Sequence, residues 1–147
     1  MIRTSAERDI AAPAERVYRI LGDYATHHRH ILPTAFTSFE VEQGGIGAGT
    51  VIRYSLRAGG RTFNYHQRIE EPEPGRVLVE QDLDSDLATS FTVTPTAEGC
   101  RVKIETTWTS TGIKGFVERF AAPRMLKPIY AAELDLLDQY ARTHPEL

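Results

Sequence analysis

Two hydrophobic periods divide the chain. Between Phe36 and Trp108, apolar residues alternate with polar ones. Phe39 and Val41 come first; Ile52, Tyr54 and Leu56 then alternate with Arg53, Ser55 and Arg57. Phe63, Tyr65 and Ile69 alternate with Asn64, His66 and Arg68. Val77 and Val79 follow, then Phe91 and Val93, and Val102, Ile104 and Trp108 close the series. A period of two buries one face and wets the other, which predicts an antiparallel sheet. The breaks at 44–49, 58–60, 71–75, 83–86 and 96–99 are short, and several are rich in Gly or Pro, as strand-to-strand turns require.

From Gly112 to Arg142 the period lengthens to that of a helix. Ile113, Phe116, Val117 and Phe120 fall at i, i+3, i+4 and i+7; Leu126, Tyr130, Glu133, Leu134, Leu137, Tyr140 and Ala141 continue the stripe. At about 1.5 Å per residue, ~30 residues span roughly 45 Å. So long a stripe needs a long partner, and the sheet is the surface available. Pro123 and Pro128 lie inside the stretch. Each removes a backbone donor and crowds the preceding turn, so the segment forms either two helices or one kinked helix.

Ahead of the sheet, Arg3–Ile10 reads as a strand and Ala14–Leu21 as a short helix with Val17, Ile20 and Leu21 on one side. Pro13 suits the first helical turn, and Gly22 ends the helix. Asp23 is placed to cap a second short helix running to about Ile31, which Pro33 stops. The expected fold class is α+β: a curved antiparallel sheet of about seven strands around a long C-terminal helix, with two short helices after the first strand. Residues 1–147 are expected to form one domain, a length that supports a real core.

Composition narrows the functional classes. The chain is 41% hydrophobic and 25% charged, with a net charge of -3 and a pI near 5.9. These values suit a soluble globular protein and argue against nucleic acid as partner. Arg16, Arg19 and Arg29 read as a solvated face. Cys100 is the single cysteine, so no intramolecular disulfide forms. No apolar run approaches the ~20 residues that span a bilayer. No signal peptide is visible, and the expected location is cytoplasmic.

The opening stretch Ile10-Ala11-Ala12-Pro13-Ala14-Glu15-Arg16-Val17-Tyr18, followed by Ile20-Leu21 and Asp23-Tyr24, resembles the entry of the SRPBCC superfamily, the START-like or polyketide cyclase/dehydrase-like proteins. The Gly47-Ala48-Gly49-Thr50 hairpin and the Glu70-Glu71-Pro72 turn with Pro74-Gly75-Arg76 are similar to that family too, and the element order matches throughout. The chain departs where many members carry a Trp, reading His27-His28-Arg29-His30-Ile31-Leu32-Pro33 instead. The resemblance implies the helix-grip fold and a hydrophobic cavity between sheet and helix. It implies no single activity, since members include carriers, receptors and cyclases.

On that phasing, Tyr54, Leu56, Phe63, Tyr65, Gln67, Phe91, Thr106, Trp108, Met125, Ile129, Tyr130 and Glu133 are the candidate ligand-binding residues. The alternative is a solid core built from the same side chains. A dry void of ~300 Å³ at about 24 cal/mol per Å³ would cost about 7 kcal/mol, a large part of a domain's stability. Such a pocket must be small, wet or occupied, and Gln67, Thr89, Thr106 and the tyrosine hydroxyls offer polar anchors. His27 and His30 share a helical face but lack a third metal ligand; the three histidines at 27, 28 and 30 read as a polar helix at the pocket mouth. His66 falls on the outward face, where it cannot act as a base within the pocket. The run Gly44-Gly45-Ile46-Gly47-Ala48-Gly49 is neither a P-loop nor a dinucleotide fingerprint; it reads as a hairpin loop and a candidate lid. No paired nucleophile and base, cofactor motif or metal signature emerges. The leading expectation is a carrier or sensor of one small hydrophobic or amphipathic molecule. A cyclase/dehydratase-like enzyme using the same cavity and a protein-interaction module are the alternatives.

Overall fold

The computed structural model describes all 147 residues. Strand β1 (Ile2–Ile10) leads into helix α1 (Ala14–Gly22) and a single 3-10 turn at His28–Ile31. Six strands follow: β2 (Phe36–Gln43), β3 (Val51–Ala58), β4 (Arg61–Glu73), β5 (Val77–Asp82), β6 (Ala88–Thr96) and β7 (Gly99–Trp108). Helix α2 (Gly112–Thr143) ends the chain. The sheet is antiparallel throughout, ordered β1-β7-β6-β5-β4-β3-β2, so β1 returns to pair with the last strand. This is the helix-grip fold.

The sheet bends where its ladder breaks. The register shifts between Thr37 and Glu40, where Ser38 adopts a positive φ of 55°, and again between Glu70 and Glu73 around Pro72. An extra residue increases local twist, and a proline that cannot donate belongs in such a gap. The bends curl the sheet's inner face towards α2.

The sequence expects two short helices; the second is only the 3-10 turn. Asp23 Oδ1 accepts from the Thr26 amide at 2.9 Å, which closes a tight turn instead of starting an α-helix. Of the two readings of the C-terminal segment, one unbroken helix is observed, with both prolines inside it. Their missing donors would have served the carbonyls of Arg119 and Arg124, both exposed residues on the water side of the helix.

Helix α2 packs into the main core cluster along its C-terminal half. Leu134, Leu137 and Ala141 are buried with Val17, Ile20, Leu21, Val93, Val102 and Ile104 in one core cluster. Arg8 on β1 pairs with Asp135 and, at 3.2 Å, with Asp138. The expected continuous buried stripe is not found. Ile113, Phe116, Val117 and Phe120 are 85%, 67%, 55% and 54% exposed. The first half of α2 stands off the sheet, and a cavity lies beneath it.

Candidate functional site

The cavity holds about 240 Å³ and is lined by 24 residues, 17 of them hydrophobic. β3 and β4 bring Tyr54, Leu56, Phe63 and Tyr65 to one wall. β6 and β7 bring Phe91, Thr106 and Trp108, and α2 contributes Met125, Tyr130 and Glu133. Two of the expected residues do not reach the wall. Gln67 is fully buried behind Tyr54, whose hydroxyl donates to Gln67 Oε1 at 3.0 Å. Ile129 is half-buried against the core cluster on another side of the helix.

Several wall residues have no counterpart in the sequence reading. Glu80 matters most. The alternation points Val77 and Val79 inward, but β5 is turned over: Leu78, Glu80 and Asp82 are its buried side chains. The apolar run Val77-Leu78-Val79 has no phase of its own. Pairing settles it, because Glu80 sits opposite Ile69 and Leu78 opposite Phe91, both inward-facing. A phase argument from those neighbours would have found Glu80. His28 was also misplaced: it is 2% exposed and lines the cavity, whereas His27 and His30 stay outside against Tyr140.

These two residues form a polar pole in an apolar pocket. The Tyr24 hydroxyl donates to Glu80 Oε2 at 2.7 Å. Burial pushes the Glu80 carboxyl up to about 7, against the opposing effect of that hydrogen bond. The His28 ring stacks on Tyr24 with centroids 4.2 Å apart. Its Nδ1 lies 2.7 Å from the Leu21 carbonyl oxygen. A carbonyl only accepts, so Nδ1 carries the proton and Nε2 presents a lone pair towards Glu80 at 3.7 Å. Burial lowers His28 to about 4, so it is neutral at pH 7. Glu133 is 3% exposed and has no hydrogen-bond partner; burial, then the charge of Glu80, push its carboxyl far above the ordinary range.

Hydroxyls carry the remaining polarity. Thr89 and Thr106 share a hydrogen bond of 2.7 Å, and Thr106 is bonded in turn to Tyr130. Burial raises Tyr54 and Tyr130 and pushes Tyr65 up to about 12, so all three remain phenols. Buried Gln67 Nε2 has no partner. At the open end, Trp108 Nε1 donates to Glu118 Oε2 at 3.0 Å and ties the end of β7 to the first turns of α2. Arg61, the sole Lys or Arg of the lining, lies over the Phe63 ring there, 5.3 Å from its centroid.

The glycine run is not a lid over this cavity. None of its residues lines the wall. Gly45 O accepts from the amides of Tyr24 and Ala25, Gly47 N donates to Gly22 O, and Ala48 N donates to Glu71 Oε2 at 2.9 Å. The loop is fastened to the end of α1. The turn that does meet the pocket is Ala58-Gly59-Gly60: Gly59 has a φ of 60°, and a Cβ there would collide with Met125 Sδ. His66 is outward and bonded to Glu42 at 2.8 Å. No group of three or more His, Cys, Asp and Glu side chains is placed to hold a metal.

Known proteins share this design. Pathogenesis-related protein 2 of Petroselinum crispum is 31% identical over 121 residues, covering 76% of this chain and 77% of its own. The KanY protein, solved by NMR, superposes with a TM-score of 0.85 at 29% identity, over 96% of this chain and 97% of that one. The Zhui aromatase/cyclase of a Streptomyces species shares the fold at 15% identity, with a TM-score of 0.72 over 97% and 93% of the two chains. The model of the family described as polyketide cyclase/dehydrase and lipid transport matches residues 1–142. With a fold and a whole-chain match in agreement, the protein belongs to that family, within the SRPBCC superfamily.

Proposed function

We propose that the protein binds one small apolar or amphipathic molecule in the cavity between α2 and the sheet, as a carrier or sensor. The observation that carries this reading is the cavity itself, about 240 Å³ with mostly apolar walls. Left dry, a void of that size would cost about 6 kcal/mol at about 24 cal/mol per Å³. A ligand restores the lost contacts and removes the cost. Tyr54, Leu56, Phe63, Tyr65, Phe91, Trp108, Met125 and Tyr130 would hold its apolar body, and Thr106 and Glu133 its polar end. Gln67 would act at one remove, through Tyr54.

One observation favours the enzyme reading as second choice. Glu80 and Glu133 are buried carboxyls with raised pKa values in the main cavity, as proton-transferring groups are in active sites. Neither is paired with a nucleophile, which keeps binding ahead of catalysis.

Native mass spectrometry of freshly purified protein tests the first reading, with denaturing extraction to identify the bound species. A stoichiometric lipid, polyketide or aromatic is the expected result. A clean apo mass, together with no uptake of a neutral apolar dye, would overturn it.

A further inference from the structure

The cavity's polar pole holds two carboxyl groups and no cation. Glu80 uses one carboxyl oxygen for the Tyr24 hydroxyl and keeps the other. Glu133 keeps both, and His28 presents Nε2 because Nδ1–H is spent on the Leu21 carbonyl. Two of the facing donors are committed outright, and Tyr65 keeps its own. Tyr24 gives its proton to Glu80 and Tyr54 gives its own to Gln67, while Thr89, Thr106 and Tyr130 hydrogen-bond to one another. No cation balances the two acids. Arg61 is held over Phe63 at the mouth, with Glu118 on the same rim. Buried carboxyls are ordinarily paired, so an unpaired Glu133 aimed into a cavity leaves a place for a partner that the chain does not supply.

We infer that the molecule taken up by this cavity carries a basic nitrogen, received between the carboxyl groups of Glu80 and Glu133. This rests on the ligand-binding reading above and names its chemical class: an apolar, preferably aromatic, amine. An ammonium group offers three donors and one positive charge to two carboxyl groups that have no charge partner. A hydroxyl satisfies one acceptor and neutralises nothing. A carboxylate meets two acids and no free cation. The aromatic walls, Phe63, Tyr65, Phe91 and Trp108, suit the ligand's body and can face the cation with their rings.

The pole must ionise to receive an ammonium, so binding displaces a proton. Glu80 sits at about 7, and Tyr24, His28, Tyr54, Tyr65, Tyr130 and Glu133 are the other titratable groups around the cavity's interior. The tyrosines and His28 are neutral above pH 5, so the carboxyls alone set the dependence. Affinity for an amine should rise as pH rises through 7. If one proton leaves Glu80, the gain from pH 5.5 to pH 8 is about thirtyfold.

The test uses three probes with one aromatic body: phenethylamine, phenethyl alcohol and hydrocinnamate, titrated calorimetrically into protein stripped of ligand. The amine should bind at least about tenfold tighter than the alcohol at pH 8, lose that advantage at pH 5.5, and near pH 6 release a proton seen as a buffer-dependent heat. Glu80→Gln should erase the preference and flatten the amine's pH profile between 5.5 and 8, and Glu133→Gln should weaken the amine at pH 8. Equal or tighter binding of alcohol or carboxylate, or an amine affinity indifferent to pH, overturns the inference. If the neutral dye N-phenylnaphthylamine still enters the cavity in that case, the ligand-binding reading survives. If neither dye nor probe binds, both fall.

Discussion

Replacing Glu80 by Gln should stabilise the ligand-free protein, and only at neutral and higher pH. The carboxyl has an ordinary value of 4.5 and is held at about 7 by burial in the native state. Below pH 4.5 both native and unfolded chains carry the proton, and ionisation costs nothing. Between 4.5 and 7 the unfolded chain loses its proton while the native one keeps it, so stability falls as pH rises. Above 7 the whole difference has been lost. At about 1.4 kcal/mol per pKa unit that loss is about 3 kcal/mol. Gln cannot ionise, is nearly isosteric and still accepts from Tyr24. Glu80→Gln and wild type should therefore match near pH 4.5, with the variant ahead by up to about 3 kcal/mol at pH 8. In a chain of this length that is roughly 6–12 °C in melting temperature.

His28 makes the experiment sharper, because its linkage has the opposite sign. Burial lowers it from 6.5 to about 4, so the unfolded chain takes up a proton first as pH falls. Its contribution is complete above 6.5 and is lost towards pH 4. In the wild type the two slopes oppose each other between 4.5 and 6.5, and stability should be nearly level there apart from the falling contribution of Glu133. Glu80→Gln removes one of the two acid slopes, so the variant's stability should change less with pH than the wild type's, with Glu133 and His28 opposing each other between 4.5 and 6.5. Urea unfolding followed by circular dichroism from pH 4 to pH 8 measures both curves. A stability difference that is constant with pH, or greatest at pH 4.5, would refute the placement of Glu80 as a buried, proton-holding acid.

Other expectations rest on burial alone. Leu137→Ala empties a fully buried position between α2 and the sheet and should cost about 2–5 kcal/mol in urea unfolding; a loss below about 1 kcal/mol would contradict the packing. Phe116→Ser and Phe120→Ser should each change stability by no more than about 0.5 kcal/mol, because both rings are mostly exposed and their mutual contact is an i,i+4 pair on a helix surface. A large loss would mean that the first half of α2 is covered in solution. Cys100 is buried and its thiol is pushed up to about 11, so it should resist a chromogenic disulfide reagent until the protein is unfolded; rapid labelling of the native protein at pH 8 would disprove this.

How much of this was legible in the sequence depended on whether a periodic pattern had one phase or two. β3, β4 and β7 alternate cleanly, so Tyr54, Tyr65 and Trp108 could be pointed inward from their own strands. β5 could not be phased alone. Val77, Leu78 and Val79 are all apolar, and the choice of face passed to the cross-strand pairs Ile69 with Glu80 and Leu78 with Phe91. The wrong phase hid the acid on which the site's electrostatics turn. α2 taught the complementary lesson. Its stripe marks where apolar residues align, and Leu134 and Leu137 are buried as the stripe demands; Phe116 and Phe120 follow the same rule, yet they touch each other and stay mostly exposed. Periodicity describes one surface and says nothing of the surface opposite. His28 was hidden for a third reason, since one buried ring among three neighbouring histidines has no sequence signature: its place is set by stacking on Tyr24 and by the Leu21 carbonyl. The fold follows from local rules that agree with one another. The residues that break those rules, a Glu on an inward strand face, a Glu in a helix stripe and a His among hydrophobes, converge on one end of one cavity. Local exceptions that meet in space mark where a protein gives up packing for chemistry.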